Sequence, residues 1–352
     1  MFPDPAIPTV LTRFGINPEG VNVKRITQGY INASFLISEV GTPKYVLQRI
    51  NTAVFGQPEA LMRNIETVLP LLDAPDYHPL ELLRTAEGAS WTRDAMDGFW
   101  RAFTYLSGSR TLEHTRQAAI ASEAGRILSV FHRLVAGLPA ESLEVPFPRF
   151  HHLGWRHSQL NDAVAAAATD RMQLAAPWTA IVDSLVTFCS DIPWDRMPLR
   201  VCHNDPKLSN ILFDASGARA LCLIDLDTLM PGYLIHDFGD AARAIITDFP
   251  EDHPDIESME LNLGQYAAFV RGFASGKLVL EEAERKWLPY GLVLMPLLHG
   301  IRALADYLQG DIYYRIEYPE QNLNRARCLL RLSQLAREQM GPLQATWAEA
   351  LG

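Results

Sequence analysis

The residues that could do chemistry lie between positions 203 and 240. The run HNDPKLSNILFD occupies 203–214, and LIDLDTLMPGYLIHDFGD occupies 223–240. Both read as short β segments flanked by carboxylates, and an Asn stands five residues after an Asp. Phosphoryl transfer from a magnesium-bound nucleotide asks for this set. A carboxylate must position the attacking hydroxyl, a cation must offset charge on the phosphoryl oxygens, and an Asn and an Asp must hold Mg²⁺ between the phosphates. The spacing H-x-D-x-K-x-x-N gathers His203, Asp205, Lys207 and Asn210 into one tight loop, and Asp225 on the next hairpin can reach the same metal. Taken singly, Asp205, Asn210 and Asp225 are also ordinary turn and cap residues. Their joint occurrence with Lys207 and the flanking strands favours the chemical reading.

Two groups of elements would position this loop. Residues 21–50 alternate apolar and polar side chains in VNVKRI, INASFLIS and PKYVLQRI, punctuated by Gly29 and the Gly41-Thr42-Pro43 turn, and read as strands. Pro58 to Leu72 has helical spacing, with Leu61, Ile65, Val68 and Leu72 on one face. Trp100 to Leu106 reads as a further strand, ending at Ser107-Gly108-Ser109. From Thr115 the pattern turns helical: 115–135, 157–170, 175–190, 255–275, 281–309 and 319–340, with a β-rich island at 198–226. The expected fold is α+β and two-lobed, a small antiparallel β-rich lobe at 1–107 and a larger, mainly helical lobe at 108–352.

HNDPKLSN followed by IDLD resembles the catalytic loop and metal-binding Asp of the protein-kinase-like fold, and in particular the aminoglycoside phosphotransferase and choline kinase superfamily. Within it, QGYINASF (28–35), YVLQRINTAVFGQPEALMRNIETV (45–68) and GIRALADYLQGDIYYRIEYPEQNLNRAR (300–327) look most like the N-acetylhexosamine 1-kinases. That resemblance implies ATP and Mg²⁺ as cofactors and a sugar phosphorylated at its anomeric hydroxyl. Asp205 would be the catalytic base and Lys207 a γ-phosphate contact. Asn210 and Asp225 would bind Mg²⁺, Asp227 would assist a second metal, and His203 and Asp237 would brace the loop. Arg49 stands where kinases usually have a Lys, so it would touch the nucleotide phosphates, with Glu66 as its ion-pair partner. An Arg keeps its charge in any environment and binds phosphate as a fork. Gly29 would lie at the phosphates, and Tyr105 to Ser107 would offer backbone hydrogen bonds to adenine. Tyr30 (His in the look-alikes), Asn32, Arg302, Asp306, Tyr307, Tyr313 and Tyr314 are candidate sugar contacts.

Bland readings stand beside these. Arg49 could be a solvated strand-end charge, and Glu66 an ordinary helix-face Glu. The residues from Arg302 to Tyr314 could be helix-end packing, although Arg302 and Asp306 are four apart and so share a helical face. His132 reads as a packing histidine. Missing elements also inform: there is no GxGxxG loop, and no APE element of the kind that accompanies protein substrates.

Composition bounds the partners. Lys plus Arg is 31 and Asp plus Glu is 41 in 352 residues, a net charge of −10 that argues against non-specific nucleic-acid binding. Four cysteines without CxxC spacing support neither a zinc knuckle nor a disulfide scaffold. The N-terminal residues lack signal-peptide character, and the longest uncharged apolar run, Trp287 to Ile301, is shorter than a membrane span. The expectation is a cytoplasmic enzyme acting on a sugar, without nucleic-acid or membrane partners. The rivals are a kinase of the same superfamily for an aminoglycoside, choline, homoserine or another sugar, and a nucleotide-binding pseudokinase.

Overall fold

Alternation of side chains in the first hundred residues produces a sheet with two different faces. The computed structural model describes residues 2–27 and 31–351. Strands β1 (Val21–Ile26), β2 (Ala33–Glu39), β3 (Thr42–Ile50), β4 (Trp91–Arg93) and β5 (Phe99–Thr104) form an antiparallel sheet in the order β1-β2-β3-β5-β4. Because side chains alternate along a strand, one face gathers Phe35, Ile37, Leu47, Trp100 and Ala102. These pack on Ile7, Val10 and Leu11 of helix α1 (Ile7–Arg13). The other face looks toward helix α2 (Pro58–Val68) and the second lobe. There Ile50 and Phe99 join the main core with Leu61, Met62 and Ile65.

The second lobe is built on helices α3 (Ala118–Val135), α4 (Leu153–Ala166), α5 (Thr169–Cys189), α6 (Leu234–Ile246), α7 (Leu263–Ser275), α8 (Glu282–Trp287), α9 (Gly291–Leu308), α10 (Gln321–Glu338) and α11 (Met340–Leu351). Two small hairpin-like ladders carry the chemistry. Strand β6 (Arg200–Cys202) pairs with β9 (Met230–Gly232), and β7 (Ile211–Phe213) pairs with β8 (Ala220–Leu223). Helices α3 and α7 cross at backbone contact. A Cβ on Gly125 would lie 2.0 Å from the Phe269 carbonyl oxygen, and one on Gly272 would lie 1.8 Å from that of Ser122. No side chain fits either place, so the glycines set how closely the two helices approach.

The expected α+β, two-lobed kinase-like architecture is present. Several details differ from the sequence reading. Helix α1, strand β4 and helix α11 were not anticipated, and β9 lies beyond the expected β island. The helix expected at 255–275 begins only at Leu263, behind an Asn262 cap whose side chain accepts the Gln265 N–H. The single helix expected at 281–309 is two, α8 and α9, interrupted at Leu288–Tyr290 around Pro289, whose missing N–H cannot continue the helical ladder. The stretch Glu282–Leu308 is apolar and long enough to cross a membrane by composition, but 83% of its most apolar window is buried inside the fold. Its apolarity is accounted for as the core of the helical lobe.

Candidate active site

The HNDPKLSN loop is held by a buried carboxylate. Asp237, in the first turn of α6, accepts the backbone N–H of His203 (2.8 Å) and of Asn204 (2.7 Å), and its Oδ2 lies 2.9 Å from His132 Nε2 on α3. Asp237 and His132 are both fully buried, where charge-assisted hydrogen bonds are strongest. His132 is thus a ligand of the loop's anchor as well as a packing residue. His203 Nε2 lies 2.9 Å from the Ile224 carbonyl, and the Thr228 hydroxyl donates to the His203 carbonyl at 2.6 Å. The loop is therefore tied to the turn that carries Asp225. Asn204 is left-handed, with φ +64°, a conformation Asn tolerates. Its side-chain amide donates to the carbonyls of Cys202 (3.2 Å) and Thr228 (3.0 Å).

This scaffold gathers the expected chemical groups. Lys207 Nζ donates to Asp205 Oδ2 at 2.9 Å, and Asn210 Nδ2 donates to the Asp205 carbonyl (2.8 Å) and to Oδ2 (3.1 Å). Asn210 thereby spends its donor on Asp205 and keeps its amide oxygen as an acceptor. Burial opposes the Lys207 charge, but Asp205, with Asp225 and Asp240 further off, outweighs it and raises the ammonium pKa. Lys207 stays a cation.

Asp225 is also left-handed, at φ +61°, a strained place for a residue with a side chain. Asp225 keeps access to solvent at the interlobe cleft, although both lobes crowd around it. Burial, then the nearby Asp227 and Asp205 carboxylates, push its pKa up to about 7, while Lys207 and Arg101 pull the other way. Asp227 is 2% exposed; its Oδ2 accepts Asn32 Nδ2 at 2.5 Å. Its Oδ1 lies 2.5 Å from Arg101 Nη1, but the N–H is not aligned, so that oxygen keeps an unspent lone pair. Three carboxylates crowd a site that contains hard oxygen donors and a deficit of positive charge. Mg²⁺ fits it: Asn210 and Asp225 would hold the ion, and Asp227 stands beside them, tied to the first lobe.

The first lobe departs from the sequence reading. Arg49 is not aimed at the cleft. It stands opposite Trp100 in the β3–β5 register, over whose ring its guanidinium lies at 5.7 Å, and it pairs with Asp4 at 3.2 Å. Strand parity decides this, because Arg49 shares the α1 face with Leu47 and it is Gln48 that faces the cleft. Glu66 is not its partner either, since it pairs with Arg84 at 2.5 Å. Tyr105 donates its N–H to the Lys44 carbonyl at 2.7 Å, which removes that donor from any adenine contact, and Ser107 is exposed in the turn beyond. Asn32 bridges inward, its Oδ1 accepting the Asn51 N–H at 3.0 Å. Gly29 and Tyr30 lie outside the described residues.

On the opposite wall the predicted sugar residues divide. Arg302 lies over the Phe150 ring at 5.3 Å, and its charge, opposed by burial, is favoured by the nearby Tyr314, Tyr313 and Asp205. Arg302, Tyr313, Tyr314 and the catalytic loop therefore share one region. Asp306 does not line it. It is 3% exposed and fully engaged: Oδ1 accepts the N–H of Ile312 (3.0 Å) and Tyr313 (2.8 Å), and Oδ2 accepts those of Tyr314 (3.0 Å) and the Asn322 amide (2.9 Å). Tyr307 is also buried, with Arg171 against its ring and bonded to its carbonyl. Both residues shape the loop instead of touching its contents.

Sequence reasoning missed Arg101, Gln48, Arg156 and Asp240. A lone Arg inside the apolar strand FWRAF was a usable signal for Arg101, since a buried charge needs a partner. Asp240 follows Asp237 by three residues and so shares its helical face. It takes Arg243 Nε at 2.7 Å and has His299 Nε2 at 3.0 Å.

Comparison with known proteins agrees with this geometry. The phosphotransferase enzyme family (APH) model matches residues 22–283. Among solved structures, the chain is similar to a microcompartment-associated aminopropanol kinase, with 19% identity, a TM-score of 0.61, and 95% of this chain and 96% of that one covered. A spectinomycin phosphotransferase, in complex with ADP and spectinomycin, has 11% identity and a TM-score of 0.59, with 96% and 99% covered. An amicoumacin kinase, in complex with AMP-PNP and Ca²⁺, has 14% identity and a TM-score of 0.54, with 90% and 89% covered. With the family model spanning most of its length and the fold shared end to end, this chain belongs to the phosphotransferase enzyme family.

Proposed function

We propose that the protein transfers the γ-phosphoryl group of ATP to a sugar hydroxyl, the anomeric hydroxyl of an N-acetylhexosamine such as GlcNAc or GalNAc. The observation that carries the sugar reading is the placement of Arg302, over the Phe150 ring and near enough to Asp205 for that carboxylate to favour its charge. Arg302 feels the charge of Asp205 and the phenols of Tyr313 and Tyr314. Arg156 stands behind it, donating to the Phe150 carbonyl and to Gln159 Oε1, and burial and then Arg302 push its pKa down to about 10. Guanidinium groups bind oxygen acceptors and repel cations. This arrangement suits the hydroxyls and N-acetyl carbonyl of a sugar, with tyrosine rings for its apolar face, and it disfavours an aminoglycoside or choline.

Magnesium-bound ATP, when present, supplies the phosphoryl group and the divalent charge that such transfers need. The protein's own groups do the rest. The Asp205 carboxylate orients the acceptor hydroxyl and takes its proton as the oxygen bonds to phosphorus and the bond to the ADP oxygen breaks. Lys207, fixed on Asp205, offsets charge on the transferring oxygens, and Asn210 keeps the Asp205 carboxylate aimed through Nδ2. Positioning provides most of the rate.

The test is a sugar panel with Mg-ATP, read by ADP release and phosphorus NMR, followed by a reducing-end assay. Phosphorylation at C1 removes the reducing end. Full retention of reducing ends after stoichiometric ADP release defeats the anomeric reading. Turnover of cationic acceptors alone defeats the sugar reading.

A further inference from the structure

Arg49 does not bring a cation to the cleft, because it pairs with Asp4 on the other face of the sheet. On β3 the cleft-facing residue at this level is Gln48, which is neutral. Directly opposite it on β5 stands Arg101, which is 1% exposed. Its Nε donates to Gln48 Oε1 at 3.0 Å, its Nη1 lies 2.5 Å from Asp227 Oδ1, and its guanidinium covers the Phe103 ring at 5.2 Å. Asp227 takes its other contact from Asn32, between β1 and β2. One carboxylate of the helical lobe is therefore gripped by two side chains of the β-rich lobe. Asp227 shares a single turn with Asp225 and follows it by two residues.

We propose that Arg101 is a positioning residue for the metal side of the site, holding Asp227, and through their shared turn Asp225, in the orientation that receives Mg²⁺ and nucleotide. This rests on the reading of the site as a nucleotide site and not on the identity of the acceptor. The physical reason is repulsion. Asp205, Asp225 and Asp227 crowd one another, and Arg101 is the buried first-lobe charge in direct contact with that group. Without it, Asp227 becomes a buried anion lacking a counter-charge, which swings out of its place. A Lys would restore charge but not the fork that spans Gln48 and Asp227. The turn carrying Asp225 would relax in either case, by different amounts.

The experiment measures binding of Mn²⁺ with ADP to the full-length protein, by calorimetry and by Mn²⁺ electron paramagnetic resonance, for Arg101→Met, Arg101→Lys and Arg49→Ala. Arg101→Met is expected to weaken Mn²⁺–ADP binding at least tenfold and ADP alone by less than threefold. Arg101→Lys should recover part of the metal-dependent loss, and Arg49→Ala should stay within twofold of wild type. A folded Arg101→Met protein with wild-type Mn²⁺–ADP affinity overturns the proposal, as does a tenfold loss in Arg49→Ala. If Arg101→Met does not fold, Arg101→Met/Asp227→Asn removes both charges together. That protein should fold and still bind Mn²⁺–ADP at least tenfold more weakly, and wild-type affinity there shows that the pair is structural only. Wild-type protein that binds no Mn²⁺–ADP overturns the reading of the site itself, and this proposal with it.

Discussion

Replacing Asp306 by Ala should damage acceptor use indirectly, by releasing a loop. The carboxylate receives four donors: three successive backbone N–H groups, of Ile312, Tyr313 and Tyr314, and the amide of fully buried Asn322. Ile312 and Tyr313 are 77% and 56% exposed, so water can recapture their N–H groups at small cost. The Tyr314 N–H and the Asn322 amide are enclosed, although Asn322 keeps a bond to Asp311 Oδ1 at 2.9 Å. An unpaired buried donor costs about 1–3 kcal/mol, so the variant should lose about 2–5 kcal/mol. Against a typical total of about 5–15 kcal/mol that is a large fraction, yet compatible with a folded protein. Asp306→Asn should lose less, because its amide oxygen can stay on the Tyr314 and Asn322 donors while the NH₂ faces the exposed N–H groups of Ile312 and Tyr313. Urea unfolding gives the stability loss, and limited proteolysis gives the loop, with new cleavage expected between Gly310 and Tyr318. The acceptor KM should rise in parallel, since Tyr313 and Tyr314 lose their fixed places, while the KM for ATP changes little. Arg302→Ala should raise the acceptor KM without the new cleavage. An Asp306→Ala protein with unchanged urea midpoint and unchanged cleavage but poor acceptor use would refute this reasoning and put Asp306 back among the direct contacts.

Asp205→Asn should cut kcat at least about a hundredfold, the usual worth of a positioned general base, while calorimetry finds nucleotide binding nearly unchanged; near-normal turnover would remove Asp205 from its role. Asn210→Ala and Asp225→Ala should each weaken Mg²⁺-dependent nucleotide binding, and identical metal titrations for both variants and wild type would contradict the assignment. Stability should fall on mild acidification. His236 is 6% exposed against Trp194, Tyr233 and His151, and burial takes its pKa from 6.5 to about 4 despite Asp237 and Asp240. Below pH 6.5 the unfolded chain binds a proton that the folded chain refuses, so up to about 3 kcal/mol is lost between pH 6.5 and 4. His151 and His299, whose pKa values are also lowered by burial, act with the same sign. Urea midpoints that are flat over this range, or a slope unchanged in His236→Gln, would count against it.

Local pattern carried much of this protein, and the reasons are local. Asp205, Lys207 and Asn210 fall within six residues, so loop geometry alone brings them together, and the strands at 21–50 and most long helices follow from period-2 and period-3.6 spacing. The α+β, two-lobed class followed from the order of those patterns. Short or weakly periodic elements such as α1, β4 and β9 did not show, because three to seven residues rarely establish a period. Which way a side chain points was decided by register. A shift of one residue exchanges the faces of a strand, and this is the whole difference between Arg49, bonded to Asp4, and Gln48, facing the cleft beside Arg101. The pairing of Arg101 with Asp227 joins residues 126 positions apart in different lobes, and no spacing rule reaches that far. Asp306 could be placed on a helix face from sequence, yet only the chain's reversal after α9 brings the N–H groups of 312–314 back onto its carboxylate. Residue types and short spacings were enough to identify the chemistry. Tertiary structure decided which charges face one another, because burial makes an unpaired charge too costly to keep and so selects partners from anywhere in the chain.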